Sequence, residues 1–374
     1  MKKHLHIIAF NIPYPANYGG VIDVFYKLKA LHAAGVGIIL HCFEYGREHA
    51  DVLETYCEQV YYYKRKTGWL SNLSLLPYNV YSRRDPQLLE RLLEDEYPIL
   101  FEGLHSCYFL NEPRLRDRIK IYRECNIEHD YYRMLAKATH EKLTKLFLRI
   151  ESVRFRRYEK ILRHANLMLG ISTADTQQLR DRFPNVRIAH LPGFHPNDQL
   201  TVRPGKSDFI LYHGNLSVSE NELAALFLIE NVFSRMQRRC VIAGMDPSPR
   251  LILAASRYAN IEIKANPSAD EMDDLVGNAQ VQLLITFQDT GLKLKLLNSL
   301  FQGRFVVVNK LMLSGSGLDN LCVVADKPEE MVSVCERLMN IPITEEVIES
   351  RRKVLFPAYS NKHLAERLVQ LIFA

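Results

Sequence analysis

The sequence predicts an α/β protein made of two doubly wound, parallel-sheet domains. Two observations carry this. Apolar runs of strand length alternate with segments of helical period along the whole 374-residue chain. Short β-branched runs of this kind, bounded by turns, mark parallel strands buried on both faces. The runs also fall into two sets, divided by a stretch holding Pro192, Gly193, Pro196, Pro204 and Gly205. Turn formers without apolar periodicity read as a linker, placed at 192–207 between domains at 1–191 and 208–355. The length suits two domains at roughly 100–200 residues each.

In the first half, strands are expected at Leu5–Phe10, Gly37–Phe43, Val60–Tyr63, Ile99–Glu102, Ile119–Arg123, Leu167–Ile171 and Ile188–Leu191. In the second half they are expected at Phe209–Tyr212, Cys240–Ala243, Ile261–Lys264, Val281–Thr286, Phe305–Asn309 and Cys322–Ala325. Met1-Lys2-Lys3-His4 begins like an export signal, but the apolar run after it is short and meets Asn11, Pro13 and Pro15. It reads as a first strand.

Composition narrows the function classes. Hydrophobic residues make up 47% and charged residues 24%, ordinary globular values that exclude long disorder. The net charge of +5 is too small to imply nucleic acid. No run approaches the ~18–20 apolar residues of a membrane span. Seven cysteines, Cys42, Cys57, Cys107, Cys125, Cys240, Cys322 and Cys335, are scattered without a CxxC pair. That pattern excludes a zinc ribbon or disulfide framework and points to a reducing cytoplasm.

Ligands bind open α/β sheets at the carboxyl ends of the strands, and two such domains facing each other are expected to form a cleft there. Three loops stand out. After the first strand, Gly19-Gly20 precede a helix, so the backbone can approach a ligand and the free amides favour phosphate, or the pair serves only a plain βα turn. After Phe209–Tyr212 comes His213-Gly214-Asn215, ahead of a helix expected at Glu222–Phe233, where a phosphate could meet backbone N–H groups or Ser219 or Asn221 would only cap the helix. After Val281–Thr286, Thr290-Gly291 are expected to open a helix carrying Lys293 and Lys295, closed by Gly303. Lysines near a helix N-terminus oppose the macrodipole unless an anion offsets them, which suggests a diphosphate site. The two are two residues apart and cannot share a face, so at most one meets the ligand, or both point to solvent.

At these residues the sequence resembles retaining glycosyltransferases of the GT-B fold, family 4 (group 1). Thr290-Gly291-Leu292-Lys293-Leu294-Lys295-Leu296-Leu297-Asn298 looks like that family's donor loop and helix, in the branch written small-Gly-Ile-Lys-x-Lys-x-x-Glu-Ala. Gly303-Arg304-Phe305-Val306-Val307, Gly214-Asn215-Leu216 with Asn221, and Val241-Ile242-Ala243-Gly244 resemble other parts of its nucleotide-binding domain. Asn126-Ile127-Glu128, Arg157-Tyr158-Glu159 and Ser172-Thr173-Ala174-Asp175 resemble landmarks of its N-domain.

The resemblance implies two Rossmann-like domains, acceptor-side then nucleotide-sugar-binding, and a closing helix at 356–374 that crosses back to the first. It implies a nucleotide-diphosphate sugar as donor and a glycan or lipid-linked acceptor, with no cofactor and no metal. Donor-binding positions would be Gly19, Gly20, Gly214, Asn215, Asn266, Thr290, Gly291, Leu292, Lys293, Lys295 and Asn298. Asn266 would border the base and Asn298 the ribose. His105 would lie near the transferred sugar and Glu128 near the acceptor hydroxyl, or Glu128 would only cap a helix. The family's paired glutamates are replaced by Thr290 and Asn298. Those replacements motivate a second reading, a GT-B protein that binds sugar nucleotide or a partner without transfer.

Residues 131–164 hold ten Lys/Arg against three Glu, a net +7, with Leu143, Leu146, Phe147, Ile150 and Val153 interleaved. The segment reads either as a peripheral contact with anionic lipid or as a helix with a solvated charged face.

Overall fold

His4–Ala9 is buried from Leu5 onward, as a central strand must be. The computed structural model describes residues 2–68, 71, 74–139, 141–288 and 294–374. In the first sheet the strands are β1 His4–Ala9, β2 Gly37–Glu44, β3 Gln59–Lys64, β4 Ile99–Glu102, β5 Lys120–Arg123, β6 Leu167–Gly170 and β7 Arg187–His190. Their order is β3-β2-β1-β4-β5-β6-β7 and every pairing is parallel. A second sheet holds β8 Phe209–His213, β9 Arg239–Gly244, β10 Ile261–Ala265, β11 Val281–Leu284, β12 Phe305–Val308 and β13 Val323–Val324. It runs β10-β9-β8-β11-β12-β13, again all parallel. Each expected strand is present, its ends moved by at most two residues.

Helices longer than one turn are α1 Gly19–Ala33, α2 Pro86–Leu92, α3 Glu128–Ala138, α4 Lys142–Tyr158 and α5 Thr173–Arg182 in the first half. They continue as α6 Ser219–Asn231, α7 Pro249–Ala255, α8 Ala269–Asn278, α9 Leu294–Gln302, α10 Pro328–Leu338, α11 Glu345–Tyr359 and α12 Asn361–Phe373. No helix among the described residues is long and apolar enough to cross a membrane.

The chain divides into two units, one running to Phe194 and taking up Ala358–Ala374, the other His195–Pro357. In the first, side chains of β1 alternate between two cores. Leu5, Ile7 and Ala9 pack with Leu28 and Leu31 of α1 and Leu364, Leu368 and Ile372 of α12. Ile8 packs on the other face with Phe101, Tyr122 and Phe155. The last helix therefore completes one core of the first unit, and the chain re-enters that unit beside Pro357, inside α11.

The stretch expected as a linker, 192–207, is packed rather than free. Arg123 donates to Leu191 O and, at 3.0 Å, to Pro192 O, while Asp23 accepts from Phe194 N at 2.7 Å. In the second unit Thr201 N donates to Phe301 O, and Val202 joins a small core with Ile343 and Ile348. Turn composition does not reveal these anchors, which come from residues far away in sequence. Asp23 belongs to a buried cluster with Lys27, Glu102 and Arg123. Burial opposes its charge, but Arg123 and Lys27 win and hold its carboxyl at about 2.

Candidate functional site

Strand order reverses between β1 and β4 in the first sheet and between β8 and β11 in the second. Open α/β sheets bind ligands at such points, outside the carboxyl ends of the strands. The loops singled out from the sequence follow β1, β4 and β5 in one unit and β8, β10 and β11 in the other.

In the first unit, Gly20 lies in the first turn of α1, where a Cβ would come within 2.7 Å of the Phe10 ring tip. Gly19 is exposed beside it. Gly103 takes φ +70°, a conformation glycine adopts freely, and turns the chain out of β4 into the helical turn that carries His105. The His105 ring stands edge-on to Phe155 at 5.3 Å and tilts against Phe10 at 6.2 Å. Its Nε2 is buried without a hydrogen bond, 3.5 Å from Glu128 Oε2, although the side chain is 18% exposed. The structure thus brings together the two residues expected to be catalytic, because β4 and β5 are neighbours.

Burial, then Arg83 and Arg65, lower the His105 pKa well below 6.5, so its imidazole is neutral. Glu128 is the first residue of α3, a position that favours a carboxylate. Burial outweighs the helix end: at 3% side-chain exposure, desolvation and then Glu159 raise its pKa to about 8, against Arg83. A neutral imidazole and an un-ionised carboxyl can hold a hydroxyl and exchange a proton without stranding charge.

Sequence reasoning missed Arg83 and Arg65. Arg83 donates twice to Phe10 O, at 3.0 and 2.7 Å, and once to Asn79 O. Arg65 donates to Asn79 Oδ1 at 2.7 Å and to Ser82 Oγ. Arg65 directly follows β3, and Arg83 follows a single helical turn at Tyr78–Tyr81; neither belongs to a segment with a periodic signal.

In the second unit, helix α6 starts at Ser219, with Val218 at the N-cap position and no side-chain cap, so neither Ser219 nor Asn221 plays that part. Asn221 sits in the first turn and donates to Asn215 O at 2.9 Å. Lys295 Nζ donates to Asn221 Oδ1 at 2.9 Å and lies 5.2 Å from the Tyr212 ring centroid. Lys295 is therefore turned toward the Gly214–Asn215 turn. Thr290, Gly291, Leu292 and Lys293 lie outside the described residues.

The Gly214–Asn215 turn is locked in place. A Cβ on Gly244, at the end of β9, would fall 1.8 Å from Gly214 O, so the two loops meet backbone to backbone. Asn215 Oδ1 accepts from Ser217 N and Oγ, closing an Asx turn. His213 bonds Ser299 Oγ at 2.9 Å, and burial, then Lys295, lower its pKa to about 3.

Asn266 is exposed at φ +52°, a left-handed conformation that Asn tolerates, and its Oδ1 accepts from Asp246 N at 2.8 Å. A cavity of about 410 Å³ is lined by its neighbours Ala265 and Pro267 together with Phe209 and Arg239. Phe209 and Arg239 begin their strands, so that cavity runs along the edge strand β10 and away from the switch point. Asn298 is half-buried on α9, its Oδ1 accepting from Gln302 Nε2 at 3.1 Å. Among the described residues, no group of three or more His, Cys, Asp or Glu is arranged to hold a metal ion.

No protein-family model matches the chain. It is 24% identical over 339 residues, 84% of each chain, to an uncharacterized 44.6 kDa protein in the cps region of Klebsiella pneumoniae. Among solved structures it is similar to TarM of S. aureus, determined with Fondaparinux, α-GlcNAc-glycerol and UDP (TM-score 0.69, 9% identity, 100% of both chains). It is similar to the UDP-forming α,α-trehalose-phosphate synthase of Burkholderia xenovorans, determined with glucose-6-phosphate (TM-score 0.65, 12% identity, 100% of both chains). It is also similar to HepE of Anabaena, determined with UDP and glucose (TM-score 0.65, 10% identity, 99% of both chains). At these identities the likeness is one of fold, and the fold is GT-B.

Proposed function

We propose that this chain is a glycosyltransferase that moves a sugar from a UDP-sugar to a glycan or lipid-linked acceptor, with retention, in polysaccharide or glycoconjugate assembly. The observation that carries the reading is Lys295, a cation turned onto a glycine-locked strand-to-helix turn at the switch point of the second sheet. A diphosphate held there would meet the Lys295 ammonium and the amides of the helix start. Glycosyl transfer separates charge between an oxocarbenium-like sugar and the departing diphosphate, so stabilising the leaving group lowers the barrier. Lys295 and the amides supply that stabilisation with no metal ion in the proposal.

In the first unit His105 is the group offered to the transferred sugar. Glu128 is offered to the acceptor hydroxyl; its raised pKa suits it to orient that hydroxyl near neutral pH and to accept a proton only above about pH 8. The scattered cysteines fit a reducing cytoplasm. The UDP seen with TarM and HepE favours the uracil nucleotide.

Thermal shift with UDP, GDP, ADP, CMP and dTDP tests the reading. UDP at ~100 times its dissociation constant should add about 2.7 kcal/mol. Lys295→Ala removes a charge-assisted contact and should weaken UDP binding by about 10–100-fold. A second reading, binding without transfer, is favoured by Asn298, which stands where a Glu is usual and whose carbonyl oxygen is taken by Gln302. UDP binding without turnover across acceptors would select it, and a flat response to every nucleotide would sink the donor site.

A further inference from the structure

Helix α4 has two apolar faces. Leu148, Phe155 and Tyr158 pack into the core of the first unit. On the opposite side Leu143, Leu146, Ile150 and Val153 are 77%, 56%, 43% and 52% exposed. Their spacing of i, i+3, i+7 and i+10 makes one continuous stripe. A helix held by its inner face does not need a second stripe, and contiguous apolar surface of this kind marks an interaction site.

The stripe has cationic flanks. At 100° per residue Lys142, Lys145, Arg149 and Arg156 fall together along one side. None of the four is in an ion pair among the described residues. Leu75, 91% exposed, joins the apolar surface from another segment, lining with Ile150 and Val153 a depression of about 320 Å³. Beside it a second depression, of about 440 Å³, is lined by Arg154, Arg157, Lys160 and Arg163 with no carboxylate among its lining residues.

We propose that this face docks on an anionic phospholipid surface. The stripe and Leu75 enter the headgroup–acyl boundary, and the flanking cations meet lipid phosphates. Charge complementarity selects this occupant. A second copy would press two cationic rims together, and a zwitterionic surface would leave them without net opposite charge. The inference does not rest on the donor site: none of Lys295, His105 and Glu128 belongs to the proposed face.

Co-sedimentation with vesicles tests it, using phosphatidylcholine alone and an equimolar mixture with phosphatidylglycerol. The full chain should pellet with the mixed vesicles, at least about tenfold more weakly with phosphatidylcholine, and less as salt rises. The triple variant Leu143→Ser/Leu146→Ser/Ile150→Ser and the double variant Arg149→Glu/Arg156→Glu should each lose at least about tenfold in binding. Both should keep the wild-type melting temperature, since the side chains are exposed, and any response to UDP. No pelleting with either vesicle, or undiminished binding by both variants, overturns the proposal. So does a wild-type dimer in sedimentation velocity that the triple serine variant dissolves, which would assign the face to a second copy.

Discussion

The two units share a topology but build their strand-end loops from different chemistry. The first uses buried ionisable groups. Burial holds the carboxyls of Glu102, Glu124, Glu128 and Glu151 above the usual range, and Arg65 and Arg83 lie inside with them. The second uses backbone. Its key contact is Gly244 against Gly214 O, and its resolved carboxylate shifts, at Glu262, Glu271 and Glu329, all run downward through hydrogen bonds to neighbours. The contrast separates two jobs. A turn of amides with one lysine suits an anion that arrives charged, whereas buried groups near their neutral forms suit hydroxyls and protons.

The largest expected effect lies in the buried charges of the first unit. Asp23→Asn leaves Arg123 and Lys27 short of their counter-ion and releases part of the anchor on Phe194 N. Breaking a buried pair from one side costs about 3–5 kcal/mol, read as a lowered urea midpoint. A loss under about 1 kcal/mol would mean that the cluster does not hold the unit. In the second unit the matching lesion is Gly244→Ala. Its methyl cannot fit 1.8 Å from a carbonyl oxygen without moving both loops. Overpacking of this kind costs about 3 kcal/mol and should also abolish any response to UDP.

The strands were legible for a physical reason. Parallel strands buried on both faces leave unbroken apolar runs, as at Ile99–Phe101 and Val306–Val308, where every residue is buried. The pairing of His105 with Glu128 was only half legible. Each loop could be found, but their meeting depends on β4 lying beside β5. Spacing alone did not show that Lys295 meets Asn221, since that contact depends on α9 lying beside the start of α6. Arg65 and Arg83 were not legible at all, because nothing in the residues next to them shows that their guanidinium groups turn inward. Asp23 and Lys27 stand i, i+4 on α1, a spacing that says nothing of burial; their other partners are Glu102 and Arg123 from neighbouring strands.

A pH test sharpens the contrast next. The Glu128 carboxyl is raised from 4.5 to about 8, so the folded chain keeps a proton that the unfolded chain gives up. Stability from this group is fully present below about pH 4.5 and is lost as pH rises toward 8. Glu128→Gln mimics the protonated form and should remove a fall on the order of 3 kcal/mol between pH 5 and pH 8. Glu262→Gln, whose carboxyl is shifted the other way and titrates below this interval, should keep the wild-type fall unchanged. Equal slopes for wild type and Glu128→Gln in urea titrations would show that the carboxyl is solvated.

The smallest expected effect separates the glycines of the two units. Gly20→Ala also introduces a close contact, but its neighbour is the tip of the half-buried Phe10 ring, which can swing, rather than a carbonyl oxygen. Alanine also suits a helix better than glycine, by about 0.5–1 kcal/mol. The two effects oppose each other, so the melting temperature of Gly20→Ala should stay close to wild type while Gly244→Ala unfolds early. The ring would move at some cost elsewhere, since Phe10 tilts against His105 at 6.2 Å. Gly20→Ala should therefore lower transfer to acceptors more than it lowers stability. If it unfolds the protein as readily as Gly244→Ala, close packing governs the loops of both units alike, and the distinction between a side-chain-built and a backbone-built site fails.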